Sequence, residues 1–205
     1  MSNNLQQLYG NIDIYLFDQL LKGTFDNCRR LIDVGVGGGR NLPYFLQNGY
    51  EVYGADPNPD AVANSRQLVA ILAPANASAN FVVAPAEDLP FQDNFFDLAI
   101  CSAVLHFANS HEHFDAMVRS IWRVIKPGGY FFARLASDIG LEKLVFPLGD
   151  GGVYLLPDGS TRYLVNQEQL LNYTENLQGE LFEPIKTTNV QNLRCMTTWC
   201  MRKSG

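Results

Sequence analysis

The sequence predicts an α/β fold in which a mostly parallel β-sheet is covered by helices on both faces. Strand-like and helix-like patterns alternate over the first two-thirds of the chain, as they do in parallel sheets with helical crossovers. Several strand candidates are apolar along most of their length, which is typical of strands buried on both faces. With 205 residues, 47% of them hydrophobic, the chain is long enough for one domain with a full core. We therefore expect a single domain over residues 1–205.

The alternating elements can be assigned in order along the chain. An apolar stripe beginning at Leu5 predicts one helix over about residues 4–22. Strand candidates lie at residues 30–34, 50–55, 80–84, 96–101 and 130–135. Helices are predicted between them at about 40–48, 59–72 and 114–125. Asn58 is placed to cap the second of these helices, and Pro59 suits its first position.

The pattern changes after the fifth strand candidate. Residues 154–164 predict a β-hairpin around a Pro-Asp-Gly turn at 157–159. Asn166, with Gln169 three residues later, predicts the start of a helix that ends near Leu177. The last two strands are expected at 180–188 and 192–201. Residues 137–165 are then a small insertion after the fifth strand, too short to hold a core of their own.

Composition excludes several classes of function. The net charge is −6 and no basic run is present, which argues against a nucleic-acid partner. No apolar run is as long as a membrane span, and the N-terminal residues do not resemble a signal peptide. The four cysteines lack metal-ligand spacing, so we expect buried thiols of a cytoplasmic protein, with no metal site and no membrane partner.

Glycines follow the first strand candidate at alternate positions. Asp33 ends the strand, and Gly35, Gly37 and Gly39 follow it. Glycine there lets backbone approach a ligand closely, and an acid before the glycines suits an amine better than a pyrophosphate. A dinucleotide-binding loop needs G-x-G-x-x-G, but the third glycine would fall at Arg40 or Leu42. The pyrophosphate fingerprint is therefore not met.

Four further stretches carry a resemblance to a known family. Residues 52–56 end the second strand on Asp56, whose carboxylate is placed to accept the hydroxyls of a ribose. Residues 83–91, 96–106 and 121–130 are similar to an adenine-binding loop, a fourth-strand signature and a Lys-Pro-Gly-Gly turn. In this order, together with the glycines, they resemble class I S-adenosylmethionine-dependent methyltransferases of type 11. On fewer features, the chain is also similar to the tellurite-resistance-type branch.

The resemblance implies a Rossmann-like, seven-stranded, mostly parallel sheet with an antiparallel last strand and helices on both faces. It implies S-adenosyl-L-methionine as the cofactor, held in a crevice at the carboxyl ends of the strands. The implied cofactor-binding residues are Asp33, Gly35, Gly37, Gly39, Arg40, Asp56, Pro57, Ala86, Glu87, Cys101 and Ser102. The chain departs from the family at Pro85, where an aspartate usually contacts the adenine amine.

The acceptor is expected to be a small molecule, and two arginines suggest that it is anionic. Arg134 is the one charged residue in an otherwise apolar strand end, and Arg162 follows the hairpin turn. Together they could bind a carboxylate, phosphate or other oxyanion. Alternatively, Arg134 pairs with a structural carboxylate such as Asp138, and Arg162 is solvated.

The remaining candidates lie on the fourth strand and in the N-terminal segment. His106 could act as a general base, or it could pack or cap a helix. Tyr9 and Tyr15 could close over the cofactor or face its sulfonium, or could simply pack the helix, and Tyr9 could also contact the acceptor. Residues 1–24 are expected to form a lid helix, and residues 137–165 a cap over the acceptor.

Two other classes of function remain open. A nicotinamide-dependent oxidoreductase would share the sheet and Asp56, but not the acid at Asp33. A non-catalytic protein that senses the cofactor or binds a partner would be compatible with Pro85. The sequence indicates neither the methylated atom nor the oligomeric state.

Overall fold

The computed structural model describes residues 5–76 and 78–205. The strands of the main sheet are β1 (Arg30–Val34), β2 (Glu51–Asp56), β3 (Phe81–Val83), β4 (Phe96–Ser102), β5 (Ile125–Ser137), β9 (Gly179–Leu181), β10 (Lys186–Val190) and β11 (Arg194–Lys203). A second, small sheet contains β6 (Phe146–Pro147), β7 (Val153–Leu155) and β8 (Thr161–Tyr163). The helices are α1 (Leu5–Tyr9), α2 (Ile14–Leu21), α3 (Pro43–Gln47), α4 (Pro59–Leu72), α5 (His111–Val124) and α6 (Gln167–Asn176).

The main sheet runs in the order β10-β11-β5-β4-β1-β2-β3, with β9 beside β11. Strands β1 to β5 pair with one another in parallel, and β11 pairs antiparallel with β5. The mostly parallel α/β sheet with an antiparallel last strand is therefore confirmed. Strand order reverses between β1 and β4, so the carboxyl ends of these two strands border the crevice where such folds bind ligands.

Two apolar clusters fill the two faces of the sheet. Side chains alternate between them along each central strand, as Ala99 and Ile100 of β4 show. One cluster includes Phe114 and Ile121 of α5, and the other includes Leu16 of α2. Helices therefore cover both faces, as predicted.

Local signals set the bounds of the predicted helices. The side chain of Asn58 accepts a hydrogen bond from the Asp60 amide at the start of α4, and Pro59 is the first residue of that helix. Asn166 likewise accepts a hydrogen bond from the Gln169 amide before α6. Both predicted N-caps are confirmed.

The prediction of one N-terminal helix over about 4–22 was wrong. The described part of this segment contains α1 and α2, separated at residues 10–13. Gly10 has a φ of +61°, which ends α1, and Asp13 caps α2 by accepting a hydrogen bond from the Tyr15 amide. Residue 4, the predicted first residue, lies outside the described residues.

The predicted strand count was also wrong by one. The segment expected as one strand over 180–188 forms two short strands, β9 and β10, interrupted at residues 182–185. Pro184 lies in this interruption and cannot donate a backbone hydrogen bond. The main sheet therefore has eight strands among the described residues rather than seven.

The insertion after β5 folds as predicted around its tight turn. The Leu156 amide donates to the Ser160 carbonyl, and Gly159 takes a φ of +81° between them. Strand β6 adds a third strand to the predicted hairpin. Tyr163 anchors the insertion, because its ring stacks on Phe114 of α5. Among the described residues, no helix has the length and apolar character needed to cross a membrane.

Candidate active site

The glycine loop, residues 35–39, leaves the carboxyl end of β1 at the centre of the crevice. Gly37 has a φ of +53°, and a Cβ built on it would meet no atom within 4 Å, so its backbone faces open space. At Gly35 the opposite holds, since a Cβ would lie 2.2 Å from the Val104 side chain. The loop therefore needs glycine at 35 for packing, while at 37 it leaves an exposed strip of backbone.

Asp33 lies beneath this loop and is almost fully buried. Burial, with a smaller contribution from the Asp56 carboxylate, raises the pKa of its carboxyl group to about 8. The Arg40 guanidinium and a hydrogen bond from Asn41 oppose the rise without cancelling it. A further positive charge beside Asp33 would favour its ionised form.

Asp56, at the end of β2, holds the loop in place. One carboxylate oxygen accepts a hydrogen bond from the Gly37 amide at 2.9 Å, and the other accepts one from the Asn58 amide at 2.9 Å. A carboxylate oxygen can accept two hydrogen bonds, so both retain capacity for a ligand hydroxyl.

A cavity of about 440 Å³ opens beside Asp56, and we call it the glycine-loop cavity. Its lining includes Gly35, Asp56, Pro57, Ala86, Glu87, His113 and Met117. The His113 Nε2 atom lies 3.4 Å from a carboxylate oxygen of Glu87, so the two side chains form a polar wall. The cavity thus offers apolar surface, one carboxylate at the loop and a polar pair opposite.

A second cavity of about 360 Å³ adjoins the first at Ala103, which lines both. We call it the arginine cavity, because four guanidinium groups line it. They belong to Arg40, Arg134, Arg162 and Arg194. The inner two come from the end of the glycine loop and from β5, whereas the outer two come from β8 and β11.

A buried carboxylate, that of Asp13, joins the inner part of this cavity. One of its oxygens accepts a hydrogen bond from Arg134 at 3.1 Å and one from the Ser102 hydroxyl at 3.0 Å. The Arg40 guanidinium lies 3.7 Å from the same oxygen and donates to Ser102 at 2.8 Å. Asp13 therefore compensates one of the two inner positive charges and ties the start of α2 to the carboxyl ends of β4 and β5.

His106 lines the arginine cavity in its neutral form. Burial, together with the nearby Arg162 charge, lowers the pKa of its imidazole to about 4. Its Nδ1 atom accepts a hydrogen bond from the Ala136 amide at 3.2 Å, which places the single ring proton on Nε2. In this state His106 can donate a hydrogen bond from Nε2 but has no free lone pair with which to act as a base.

Most of the predicted site residues line one of these cavities, whereas Asp33, Gly37 and Gly39 line neither. The glycine-loop cavity takes Gly35, Asp56, Pro57, Ala86 and Glu87, and the arginine cavity takes Arg40, Ser102, His106, Arg134 and Arg162. Cys101 is fully buried in the apolar core. Tyr9 stacks on Tyr44, with ring centroids 5.5 Å apart, and is not among the residues lining either cavity.

The suggested structural partner of Arg134 was wrong. The guanidinium pairs with Asp13 rather than Asp138, and it lies 5.3 Å from the ring centroid of Tyr15. Its Nε atom is buried and has no hydrogen-bond partner among the described residues. Arg134 is thus held in place by α2 while still bordering the arginine cavity.

Sequence reasoning missed Asp13, Asn41, His113 and Arg194. Asp13 had a local signal, because an acid after Gly10 and Asn11 is a typical helix N-cap. His113 lies three residues after Ser110, the N-cap of α5, and the sequence did not show that it faces Glu87. Arg194 had no signal in the sequence, since its position depends on the antiparallel pairing of β11.

Comparison with known proteins identifies relatives in sequence, over residues within the first two-thirds of the chain, and relatives in fold. A family model described as a methyltransferase domain matches residues 32–133. An uncharacterized methyltransferase of Synechocystis sp. is 34% identical over 103 residues, which are 50% of this chain and 45% of that protein. The match thus spans less than half the length of that curated relative.

Solved structures extend the likeness to nearly the whole chain. A SAM-dependent methyltransferase of Methanosarcina mazei has a TM-score of 0.68 at 20% identity, covering 85% of this chain and 92% of that one. The 1,6-didemethyltoxoflavin-N1-methyltransferase of Burkholderia thailandensis, solved with S-adenosylhomocysteine bound, has a TM-score of 0.65 at 17% identity. That match covers 94% of this chain and 82% of the other.

Proposed function

The chain belongs to the class I S-adenosylmethionine-dependent methyltransferases, and we propose that it transfers the methyl group of S-adenosylmethionine to a small-molecule acceptor. The observation that carries this proposal is the pair of adjoining cavities at the carboxyl ends of the strands. One is lined by Gly35 and by Asp56, which accepts a hydrogen bond from the open Gly37 backbone, and the other has a separate polar lining.

The residues of the first cavity suit the cofactor. Asp56 retains acceptor capacity for the two hydroxyls of a ribose. The open backbone at Gly37 leaves room for the methionine part, because no side chain occupies the space there. Asp33, whose pKa is raised by burial, suits the positively charged amino group of that part.

Recognition of the adenine ring is assigned to the wall formed by Glu87 and His113. The usual aspartate of the family is replaced by Pro85, which lines the cavity beside Ala86. Met117 supplies an apolar, polarizable surface for a flat ring. These contacts replace the missing carboxylate.

The main task of the chain in this reaction is to position the cofactor and the acceptor relative to each other. When bound, S-adenosylmethionine supplies a methyl group already activated on a sulfonium, and its transfer to an electron pair of the acceptor leaves S-adenosylhomocysteine. Alignment of two bound partners can contribute about 7–11 kcal/mol of barrier reduction. Because His106 already accepts a backbone hydrogen bond at Nδ1, we assign it to donate to the acceptor rather than to remove its proton.

The glycine loop gives a sharp test of this function. Gly37→Val fills the open space in the crevice, and we expect it to abolish binding of S-adenosylhomocysteine in calorimetry. Gly49→Val is the matched control, since Gly49 also has a positive φ of +79° and open space around its Cβ, but lies between α3 and β2. Equal binding by the parent and the Gly37→Val protein would place the cofactor elsewhere.

Turnover is tested separately with a radiolabelled methyl group. We expect label to move from S-adenosylmethionine to a member of an acceptor library. Tight binding of S-adenosylhomocysteine with no transfer to any acceptor would favour the cofactor-sensing alternative.

A further inference from the structure

We propose that the arginine cavity is the acceptor site and that it takes a small organic oxyanion, bound by Arg162 and Arg194. The inference rests on the proposed function, because it assigns the acceptor of that reaction. Three observations support it: the balance of charges around the cavity, the carboxylate partners of each arginine, and the apolar part of the lining.

The cavity is positive in a protein that is negative overall. The chain carries a net charge of −6, yet four arginines line this one space. The carboxylates in contact with them are those of Asp13, behind the inner arginines, and Asp158, in the lining. Two positive charges thus remain uncompensated among the described residues, and gathering them without an anion is electrostatically unfavourable.

One of these two charges lies on the outer side, where Arg162 and Arg194 face the single Asp158 carboxylate. Arg134 and Arg40 share the Asp13 carboxylate, but Arg162 forms no ion pair among the described residues. Its Nη1 atom donates to the Thr161 carbonyl, and its guanidinium lies 5.0 Å from the ring centroid of Phe107. Contact with the ring holds the guanidinium in place and leaves most of its donors unused.

Arg194 adds a second guanidinium with a weak partner. Its Nη1 atom is 3.9 Å from an Asp158 oxygen, too far for a hydrogen bond. The Ser160 amide and hydroxyl donate to the other Asp158 oxygen, at 2.9 and 2.6 Å. Arg162 and Arg194 therefore present planar donor groups that match the oxygens of a carboxylate or phosphate.

The rest of the lining limits the ligand to a small molecule with an apolar body. Ala136, Leu156, Val190 and Met196 supply the apolar surface. A volume of about 360 Å³ accommodates a single ring or a short chain with its anionic group. The Nε2 donor of His106 provides a further polar contact.

The proposal is tested by NMR titration of the protein saturated with S-adenosylhomocysteine. The probes are benzoate and phenyl phosphate, and benzamide of similar size and no charge is the control, all at constant ionic strength. We expect saturable shifts of the backbone amides at residues 102–107 and 160–163 with one or both anions, and none with benzamide. A response to only one anion identifies the oxyanion as carboxylate or phosphate.

Variants assign the shifts to the outer arginines. Arg162→Gln and Arg194→Gln should each weaken the binding of the responding anion about 10-fold or more, as expected when a charged hydrogen-bonding group is lost. Arg119→Gln is the control, because it removes the same charge from an exposed pair with Asp115 on α5. The affinity for S-adenosylhomocysteine should remain that of the parent in all three.

Three results would overturn the proposal. Benzamide could bind as tightly as the anions, the anions could cause no saturable shift, or Arg162→Gln and Arg194→Gln could both bind the anions as the parent does. A failure of S-adenosylhomocysteine to bind the parent is a different outcome, because it contradicts the proposed function itself.

Discussion

Asp33→Asn is expected to change both the pH dependence of stability and the binding of the cofactor. Burial raises the pKa of the Asp33 carboxyl from 3.8 to about 8. The folded protein therefore holds a proton that the unfolded chain releases between these two values. This group's contribution to the free energy of unfolding is fully present below about pH 4 and is lost as the pH rises to about 8.

The size of the effect follows from the shift in pKa. Each unit corresponds to about 1.4 kcal/mol, so a rise of some four units corresponds to a loss on the order of 5 kcal/mol across this range. Asparagine has no charge to desolvate, and the variant does not suffer this loss. Without cofactor, Asp33→Asn should match the parent near pH 4 and should be clearly more stable at pH 8.

Urea denaturation at pH 5, 6.5 and 8 measures this difference. Asp150→Asn serves as the control, because it makes the same change at an exposed position in the insertion. The difference in stability between Asp33→Asn and the parent should grow with pH, while that of the control stays constant. Parallel pH profiles for Asp33→Asn and the parent would refute the assignment of a buried, protonated Asp33.

The same residue links cofactor binding to proton release. If the amino group of the ligand pairs with Asp33, the carboxyl must ionise on binding, which releases about one proton per S-adenosylhomocysteine at pH 7. Calorimetry in buffers of different ionisation enthalpy measures this number directly. Asp33→Asn should bind about 10- to 150-fold more weakly and release no proton. Proton release by the variant equal to that of the parent would exclude the pairing.

Three further predictions concern the residues around the crevice. Asp13→Ala leaves Arg134 and Arg40 without their shared carboxylate, so urea denaturation should show a loss of about 3–5 kcal/mol, whereas the exposed Asp18→Ala should lose little; a loss below about 1 kcal/mol would contradict the buried ion pair. Asp56→Ala should weaken the binding of S-adenosylhomocysteine by about 1.5–3 kcal/mol, which is the usual contribution of hydrogen bonds to a charged group. Calorimetry measures this change, and an unchanged affinity would exclude Asp56 from the cofactor site. Hydrogen exchange over residues 5–21 should slow when S-adenosylhomocysteine binds, since a lid closes over its ligand; equal exchange with and without ligand would make α1 and α2 purely structural.

Local signals made much of the fold predictable. The bounds of α4 follow from Asn58 and Pro59, which act within one turn of the helix. The apolar strands and the tight turn at 157–159 depend likewise on neighbouring residues. By contrast, the N-terminal apolar stripe predicted one continuous helix, although Gly10 is a typical helix end and Asp13 a typical helix start.

The site was predictable only where a motif fixes the backbone. Asp33, the glycine loop and Asp56 belong to such motifs; Gly35 and Asp56 line one cavity, and the Gly37 amide donates to Asp56. The partner of Arg134 lies 121 residues away in sequence, and no local pattern indicates such a contact. Arg194 reaches the arginine cavity through the pairing of β11 with β5 and β10, which depends on the whole sheet.

The central claim is that the crevice binds S-adenosylmethionine rather than a nicotinamide cofactor. Calorimetric titration of the unmodified chain with S-adenosylhomocysteine and, separately, with NADH tests it most directly. We predict saturable binding of S-adenosylhomocysteine and no binding of NADH, because Asp33 suits an amino group and Arg40 occupies the position of the third glycine of a dinucleotide loop. Tight binding of NADH without binding of S-adenosylhomocysteine would contradict the claim.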